Sequence, residues 1–171
     1  MTIREIVTVP APVLRRKAFK VTDFGPELQT LVDDMIETMR DAPGVGLAAP
    51  QVGVLQQVVV VEYRDPPEEG EAEKPPKLYT LINPEITRIS EEKERGTEGC
   101  LSIPGYAGIV DRPLEITVRA LNRRGQPVRV KAQGWLARIF LHEIDHLEGV
   151  LFTDLAEKVW ELQPGEEPPL D

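Results

Sequence analysis

Both histidines of the chain lie in one short segment, His142-Glu143-Ile144-Asp145-His146. If this segment is helical, the two imidazoles lie one turn apart on the same face and could bind one metal ion. Glu143 would then lie beside the metal rather than on it, which is the position of a general base. The spacing therefore predicts a hydrolytic metal site. The alternative is a surface helix that carries two unrelated histidines.

The residues around this segment favour the metal site. They are among the most apolar of the chain: Leu136, Ile139, Phe140, Leu147, Val150, Leu151 and Phe152. A helix in such a stretch should be buried, and buried imidazoles and carboxylates need partners or a metal to offset their desolvation. We therefore expect the histidines to have a shared ligand.

Two histidines need a third protein ligand, whose identity separates several kinds of enzyme. Metzincin proteases have a histidine three residues after the glycine, but the residue three after Gly149 is Phe152. A glutamate on a later helix is typical of thermolysin-like proteases, but Glu166 lies among prolines and glycine that disfavour a helix. Cysteine is the remaining strong ligand, and Cys100 is the only one. A single cysteine is ordinarily a small buried apolar residue, but a Cys-His-His site with an open fourth position is typical of catalysis.

A loop rich in small residues precedes a predicted apolar strand, Val58-Val59-Val60-Val61. The loop is Gly44-Val45-Gly46-Leu47-Ala48-Ala49-Pro50-Gln51-Val52-Gly53. Small side chains let a backbone approach a ligand closely, and Gln51 is the only polar side chain of the loop. The lysine and the serine or threonine of a phosphate-binding loop are missing. The alternative is a tight turn in which Gln51 only bridges backbone groups.

The composition predicts a single globular domain over residues 1–171, with 41% hydrophobic and 29% charged residues. The net charge of −9 argues against broad binding to nucleic acid or to anionic membranes. One cysteine excludes an internal disulfide and suits a reducing compartment. Because the N-terminus lacks an apolar leader and no apolar run has membrane length, we expect a cytoplasmic protein.

Helical periodicity predicts a helix from Gly25-Pro26 to Asp41. Strands are predicted over 78–89 with a break at Pro84, over 106–110, over 114–121 and over 127–132. Residues 65–76 are acidic and rich in proline, so we expect a mobile surface loop there. The chain from Val159 onward is expected to lack regular structure, with a disordered tail at 163–171.

Three motifs, in their order and spacing, closely resemble the signatures of the peptide deformylases: 44–51, Glu98-Gly99-Cys100-Leu101-Ser102 and 142–146. The resemblance extends from the N-terminal segment to about Phe152. It implies an α+β fold in which antiparallel sheets wrap around a central helix with the H-E-x-x-H motif. It also implies removal of the formyl group from the N-terminal formyl-methionine of new polypeptides. The implied metal is iron(II), with zinc, nickel or cobalt as substitutes.

The resemblance also implies roles for single residues. Cys100, His142 and His146 are the implied metal ligands, and Glu143 is the implied acid and base. Gln51 and the backbone N–H of Leu101 are the implied donors to the developing oxyanion. The residues implied to bind the peptide as an added strand, or to line the methionine pocket, are Val45, Gly46, Gly99, Trp135, Arg138 and Ile139.

Three further features bear on this resemblance: one agrees with the family and two depart from it. Arg138 occupies a usually apolar pocket position, which it could fill with its aliphatic stem. Glu98 and Arg112 are similar to a supporting ion pair of the family. Some members dock on the ribosome through a basic C-terminal helix, whereas the tail of this chain is acidic and could not do so electrostatically.

Two other functions fit part of the pattern. A zincin-like endoprotease shares the H-E-x-x-H chemistry but leaves Cys100 without a role. A noncatalytic domain held together by metal leaves Glu143 and Gln51 without one.

Overall fold

Two antiparallel β-sheets contact the helix that carries the paired histidines. The computed structural model describes residues 2–166. The helices are α1 (Pro26–Asp41), α2 (Gly134–Leu147) and α3 (Phe152–Leu155). The strands are β1 (Gly46–Ala48), β2 (Val58–Tyr63), β3 (Lys77–Ile89), β4 (Lys93–Cys100), β5 (Ile103–Pro113), β6 (Glu115–Leu121), β7 (Pro127–Gln133) and β8 (Lys158–Glu161).

The strands form a five-stranded sheet in the order β1-β2-β3-β6-β7 and a three-stranded sheet in the order β4-β5-β8. Every strand pairing within these two sheets is antiparallel. Helix α2 contacts strands of both sheets. The predicted α+β architecture is therefore confirmed. Strands β1 and β4 each lie at one edge of their sheet, with β7 and β8 at the opposite edges.

Strand β2 is apolar at every position from Val58 to Val61 because both faces of the five-stranded sheet are covered. Val59 and Val61 belong to the hydrophobic cluster that includes α2 residues. Val58 and Val60 belong to the cluster that includes the buried stripe of α1. Successive side chains of a strand point to opposite faces, so a strand between two helical layers cannot alternate apolar with polar residues.

Helix α2 is the most buried helix of the fold. Ten of its side chains are buried, from Leu136 to Leu147. The fully buried ring of Phe140 packs edge-on against Tyr79 of β3, with ring centroids 5.1 Å apart. Burial of such a ring contributes roughly 1.5–3 kcal/mol to stability. The helix is therefore a fixed support for the side chains that it carries.

The structure corrects two expectations about strands. Strand β3 is continuous through Pro84, because a register shift between Ile82 and Glu85 accommodates the proline in the pairing with β6. The expected unstructured chain from Val159 onward instead contains β8, in which Val159 pairs with Gly108 of β5. The β-branched and aromatic residues of Lys158–Glu161 suit an edge strand, but four residues give a weak pattern.

Residues 65–76 contain no helix or strand and are exposed, and their mobility stays a prediction. Within the predicted disordered tail, residues 163–166 form a turn in which Glu166 N–H donates to the carbonyl of Gln163, with 3.0 Å between nitrogen and oxygen. Residues 167–171 lie outside the described residues. No helix within residues 2–166 is long and apolar enough to cross a membrane.

Candidate metal centre and active site

The lone cysteine and the two histidines converge, although they come from different elements. Cys100 ends β4, and His142 and His146 lie one turn apart on α2. One ligand atom of each residue lies within 4.8 Å of the others, and all three residues are buried. Cys100 Sγ is 3.4 Å from His146 Nε2. Glu166, by contrast, lies on an exposed turn.

The donor atoms fit a divalent metal ion. Metal–sulfur and metal–nitrogen bonds of about 2.3 and 2.0 Å place tetrahedral ligands about 3.5 Å apart. Four buried side-chain oxygen or nitrogen atoms lack a hydrogen-bond partner among residues 2–166, and three of them belong to the H-E-x-x-H motif: His142 Nε2, Glu143 Oε1 and His146 Nδ1. Because buried polar atoms are normally satisfied, the unpartnered His142 Nε2 and Glu143 Oε1 indicate a site that binds a ligand, whereas His146 turns its other nitrogen, Nε2, toward Cys100.

Glu98 orients the first histidine. His142 Nδ1 lies 2.9 Å from Glu98 Oε1, and because a carboxylate only accepts, Nδ1 carries the proton. Nε2 is then left with its lone pair for a metal. Burial alone would raise the pKa of Glu98, but hydrogen bonds from Arg112 and His142 outweigh it and hold that pKa far below its usual value. Glu98 is therefore a carboxylate that holds the imidazole in one tautomer.

Arg112 contacts two acidic side chains of the site. Its Nε and Nη2 donate to the two oxygens of Glu98, at 2.8 Å each. Its Nη1 donates to Asp145 Oδ2 at 2.6 Å. The predicted Glu98–Arg112 pair is thus confirmed, and it is buried. The contact with Asp145, inside the histidine motif, was not predicted from the sequence.

Glu143 lies against β1. Its side chain is buried, and a methyl group added at Gly46 would lie only 2.6 Å from its Oε2. Gly46 therefore provides the space that the carboxylate occupies. Burial raises the pKa of Glu143 to about 7, with the nearby charge of His142 opposing the shift. The close contact explains why a residue without a side chain occupies this position of β1.

Gln51 is fully buried and directed at the cysteine. Its Oε1 accepts from Ala48 N–H at 2.9 Å, and its Nε2 donates to Ser102 Oγ at 3.2 Å and more weakly to Cys100 Sγ at 3.6 Å. Gln51 thus bridges the backbone, as one interpretation of the sequence required, but its amide also reaches the sulfur of Cys100. Leu101 directly follows Cys100, so its backbone N–H belongs to the same turn.

The residues expected to bind the peptide lie on several different elements. Gly46 lies on β1 and Gly99 on β4, one edge strand of each sheet, and half-buried Val45 precedes β1. Trp135, at the start of α2, is 45% exposed.

Two residues of the expected methionine pocket are enclosed. Ile139 is buried in the cluster between α2 and the five-stranded sheet. Arg138 is also buried, and its guanidinium donates to Glu98 rather than extending into an open pocket.

The chain is similar to known proteins in both sequence and fold. A sequence model of the polypeptide deformylase family matches residues 3–160. The peptide deformylase of Symbiobacterium thermophilum is 54% identical over 154 residues, which cover 90% of this chain and 67% of that protein. The peptide deformylase of Natranaerobius thermophilus is 48% identical over 160 residues, which cover 94% of this chain and 96% of that protein. The crystal structure of the Ehrlichia chaffeensis peptide deformylase in complex with actinonin superimposes with a TM-score of 0.82 and is 44% identical. The superposition covers 92% of this chain and 91% of that chain.

Proposed function

The chain belongs to the peptide deformylase family, whose members remove the formyl group from the N-terminal formyl-methionine of new polypeptides, and we propose that its Cys100, His142 and His146 hold the metal for this hydrolysis. The observation that carries the assignment is the convergence of these three buried residues beside Glu143. A divalent ion bound there supplies Lewis-acid activation of water and of the formyl carbonyl.

Glu143 is the proposed acid and base. Its carboxylate accepts a proton from the water whose oxygen adds to the formyl carbon. It then gives that proton to the amine nitrogen as the carbon–nitrogen bond breaks. The products are formate and a peptide with a free N-terminal amine. The burial of Glu143 supports this role because bulk water cannot compete for the proton.

Gln51 and Leu101 are the proposed donors to the negative charge that develops on the formyl oxygen. The Gln51 amide is fixed by Ala48 N–H and Ser102 Oγ. Its weak contact with Cys100 Sγ is the one that the substrate oxygen would replace. Such a preorganised donor needs little reorganisation during the reaction. The N–H of Leu101 would donate from the turn after β4.

The peptide is proposed to bind as an extra strand between β1 and β4. Both are edge strands, and each contains a glycine, Gly46 and Gly99. Main-chain pairing of this kind gives affinity with little demand on the peptide sequence. The methionine side chain would lie near Val45, Trp135 and Ile139, with at most the aliphatic stem of Arg138.

Iron(II) is the proposed metal in the cell, with zinc, nickel and cobalt as substitutes. One thiolate and two imidazoles accept all four ions, and a thiolate at an open iron site is prone to oxidation. Metal analysis after anaerobic purification, with formyl-Met-peptide assays before and after exposure to air, tests the assignment. Loss of activity in air together with loss of iron is expected, whereas a zinc enzyme would be stable.

We expect the enzyme to act in the cytoplasm on nascent polypeptides. Its net charge of −9 and its acidic C-terminal sequence disfavour binding to nucleic acid and electrostatic docking on the ribosome. Sedimentation with ribosomes at low and moderate salt tests this point, and salt-sensitive co-sedimentation would contradict it.

Glu143→Ala tests the reaction scheme. The variant should keep its metal, because Glu143 is not among the three ligands, and should lose turnover by roughly 10²–10⁴-fold. Metal content and formyl-Met-peptide hydrolysis are measured on the same preparation. Near-normal turnover with metal present would refute the role of Glu143.

A further inference from the structure

Arg138 joins the two elements that carry the proposed metal ligands. It lies on α2, one turn before His142, and its side chain is 5% exposed. Its Nη1 donates to Glu98 Oε2 at 2.7 Å and to the carbonyl of Val110 at 2.9 Å. Its Nη2 donates to the carbonyl of Glu94 at 2.6 Å. All three acceptors belong to β4 and β5, so one side chain connects the histidine helix to the sheet of the cysteine.

The sheet provides a specific space for this guanidinium. A methyl group added at Gly96 of β4 would lie 2.6 Å from Arg138 Cζ and 2.8 Å from its Nε. The guanidinium therefore lies directly against the backbone of β4, which only a glycine permits. The Trp135 ring also lies near the guanidinium, with its centroid 5.4 Å from Cζ. The arginine consequently contacts β4 and an aromatic ring rather than lying in an open pocket.

Arg138 also balances the charges behind the site, where Glu98 is buried and Asp145 is half-buried. Glu98 and Asp145 are the two acidic side chains that contact Arg112. Arg112 alone would leave this group with one excess negative charge. Arg138 supplies the second positive charge, on the same Glu98 oxygen that accepts from Arg112 Nε. Glu98 thereby has one oxygen oriented by both arginines while the other accepts from His142.

We propose that Arg138 is a positioning residue that acts through Glu98 to fix the His142 imidazole relative to Cys100, and that it is not a determinant of methionine recognition. The proposal rests on the proposed metal centre. A carboxylate held by both arginines cannot rotate away from His142 Nδ1, so His142 Nε2 keeps its direction. Loss of Arg138 should weaken metal retention and leave the ratio of kcat/KM between substrates unchanged. Loss of a pocket residue would instead change the preference among substrate side chains.

Three variants and a control test the proposal with cobalt(II)-loaded enzyme. Arg138→Met removes the donors but keeps an unbranched stem, and Arg138→Lys keeps one cationic donor. Gly96→Ala leaves the arginine in the chain but fills the space of its guanidinium. Arg119→Met is the matched control, because Arg119 is an exposed arginine paired with Glu85, away from the site. Thermal unfolding of each metal-free variant establishes that it folds.

The readouts are the rate of cobalt loss to a chelator, the visible absorption of bound cobalt, and the ratio of kcat/KM for formyl-Met and formyl-Ala peptides. Arg138→Met and Gly96→Ala should lose cobalt roughly 10–100-fold faster and shift the absorption bands, with the substrate ratio unchanged. Arg138→Lys should be intermediate, and Arg119→Met should match the unchanged protein. If Arg138→Met does not fold, the lysine and Gly96→Ala variants decide.

Unchanged cobalt loss together with an altered substrate ratio would overturn the proposal and assign Arg138 to the pocket. The metal measurements do not depend on turnover. If no variant hydrolyses formyl peptides but cobalt loss follows the expected order, the proposed reaction fails while the role of Arg138 stands.

Discussion

Glu98→Gln should destabilise the protein far more than an ordinary loss of charge. Glu98 is fully buried and accepts four hydrogen bonds: two from Arg112 at 2.8 Å, one from Arg138 at 2.7 Å and one from His142 at 2.9 Å. Glutamine has nearly the same shape but no charge, and its NH₂ group would face donors. Two guanidiniums would then be left with Asp145 as their only acidic contact.

The magnitude follows from the burial of the pair. Removing one partner of a buried ion pair costs about 3–5 kcal/mol, because the remaining charge stays desolvated. For a protein of this size, each kcal/mol lowers Tm by about 2–4 °C, so the expected decrease in Tm is roughly 6–20 °C. Urea unfolding of the metal-free protein, followed by circular dichroism, measures the free energy without contributions from metal binding.

The control is Glu85→Gln, which removes an exposed partner of Arg119 and should leave the unfolding free energy almost unchanged. A loss of less than about 1 kcal/mol for Glu98→Gln would refute the reasoning, since a buried pair should cost several times more. It would mean that water or a rearranged Asp145 compensates the two arginines.

Two further predictions concern single contacts. Gly46→Ala should lower kcat by about 10²-fold with little change in Tm, because the added methyl group displaces the Glu143 carboxylate. A displacement of about 1 Å can lower a rate by that factor. Normal kcat would exclude a fixed position for Glu143. Burial raises the pKa of Asp34, but hydrogen bonds from Thr2 N–H and Arg4 outweigh it and lower that pKa. Asp34→Asn should therefore be less stable than the unchanged protein at about pH 6. The difference in unfolding free energy should shrink as the pH falls below about 3.9, where Asp34 of the unfolded state takes up a proton before Asp34 of the folded state does. A difference that grows toward acid would contradict the assignment.

The sequence pointed to Cys100, His142 and His146 as a candidate metal centre because histidine and cysteine are rare in this chain. The chain has two histidines and one cysteine, so few combinations could form a Cys-His-His site. The predicted α1 and β2 were also found, since a helical stripe and a run of four valines are strong local patterns. The helix and the strand depend on neighbours in the sequence, which is why they could be predicted.

Features that depend on distant partners were not predictable from local patterns. The direction of Arg138 depends on Gly96 and Glu98 of β4, and nothing within α2 itself indicates them. Strand β8 exists because β5 offers an unpaired edge to Lys158–Glu161, and four residues of an edge strand carry little periodicity. The hydrogen bond between Gln51 and Ser102 likewise joins two segments that only the folded chain brings together.

The division of the centre between a helix and two sheets determines when in folding it can exist. Cys100 meets a histidine 46 positions later in the chain, and Gln51 meets Cys100 across 49 positions. Closing such long loops costs entropy before the contacts return any free energy, so they form late. Metal loading should consequently follow the docking of both sheets on α2. A newly made copy of this enzyme would be inert toward other nascent chains until its own maturation is complete.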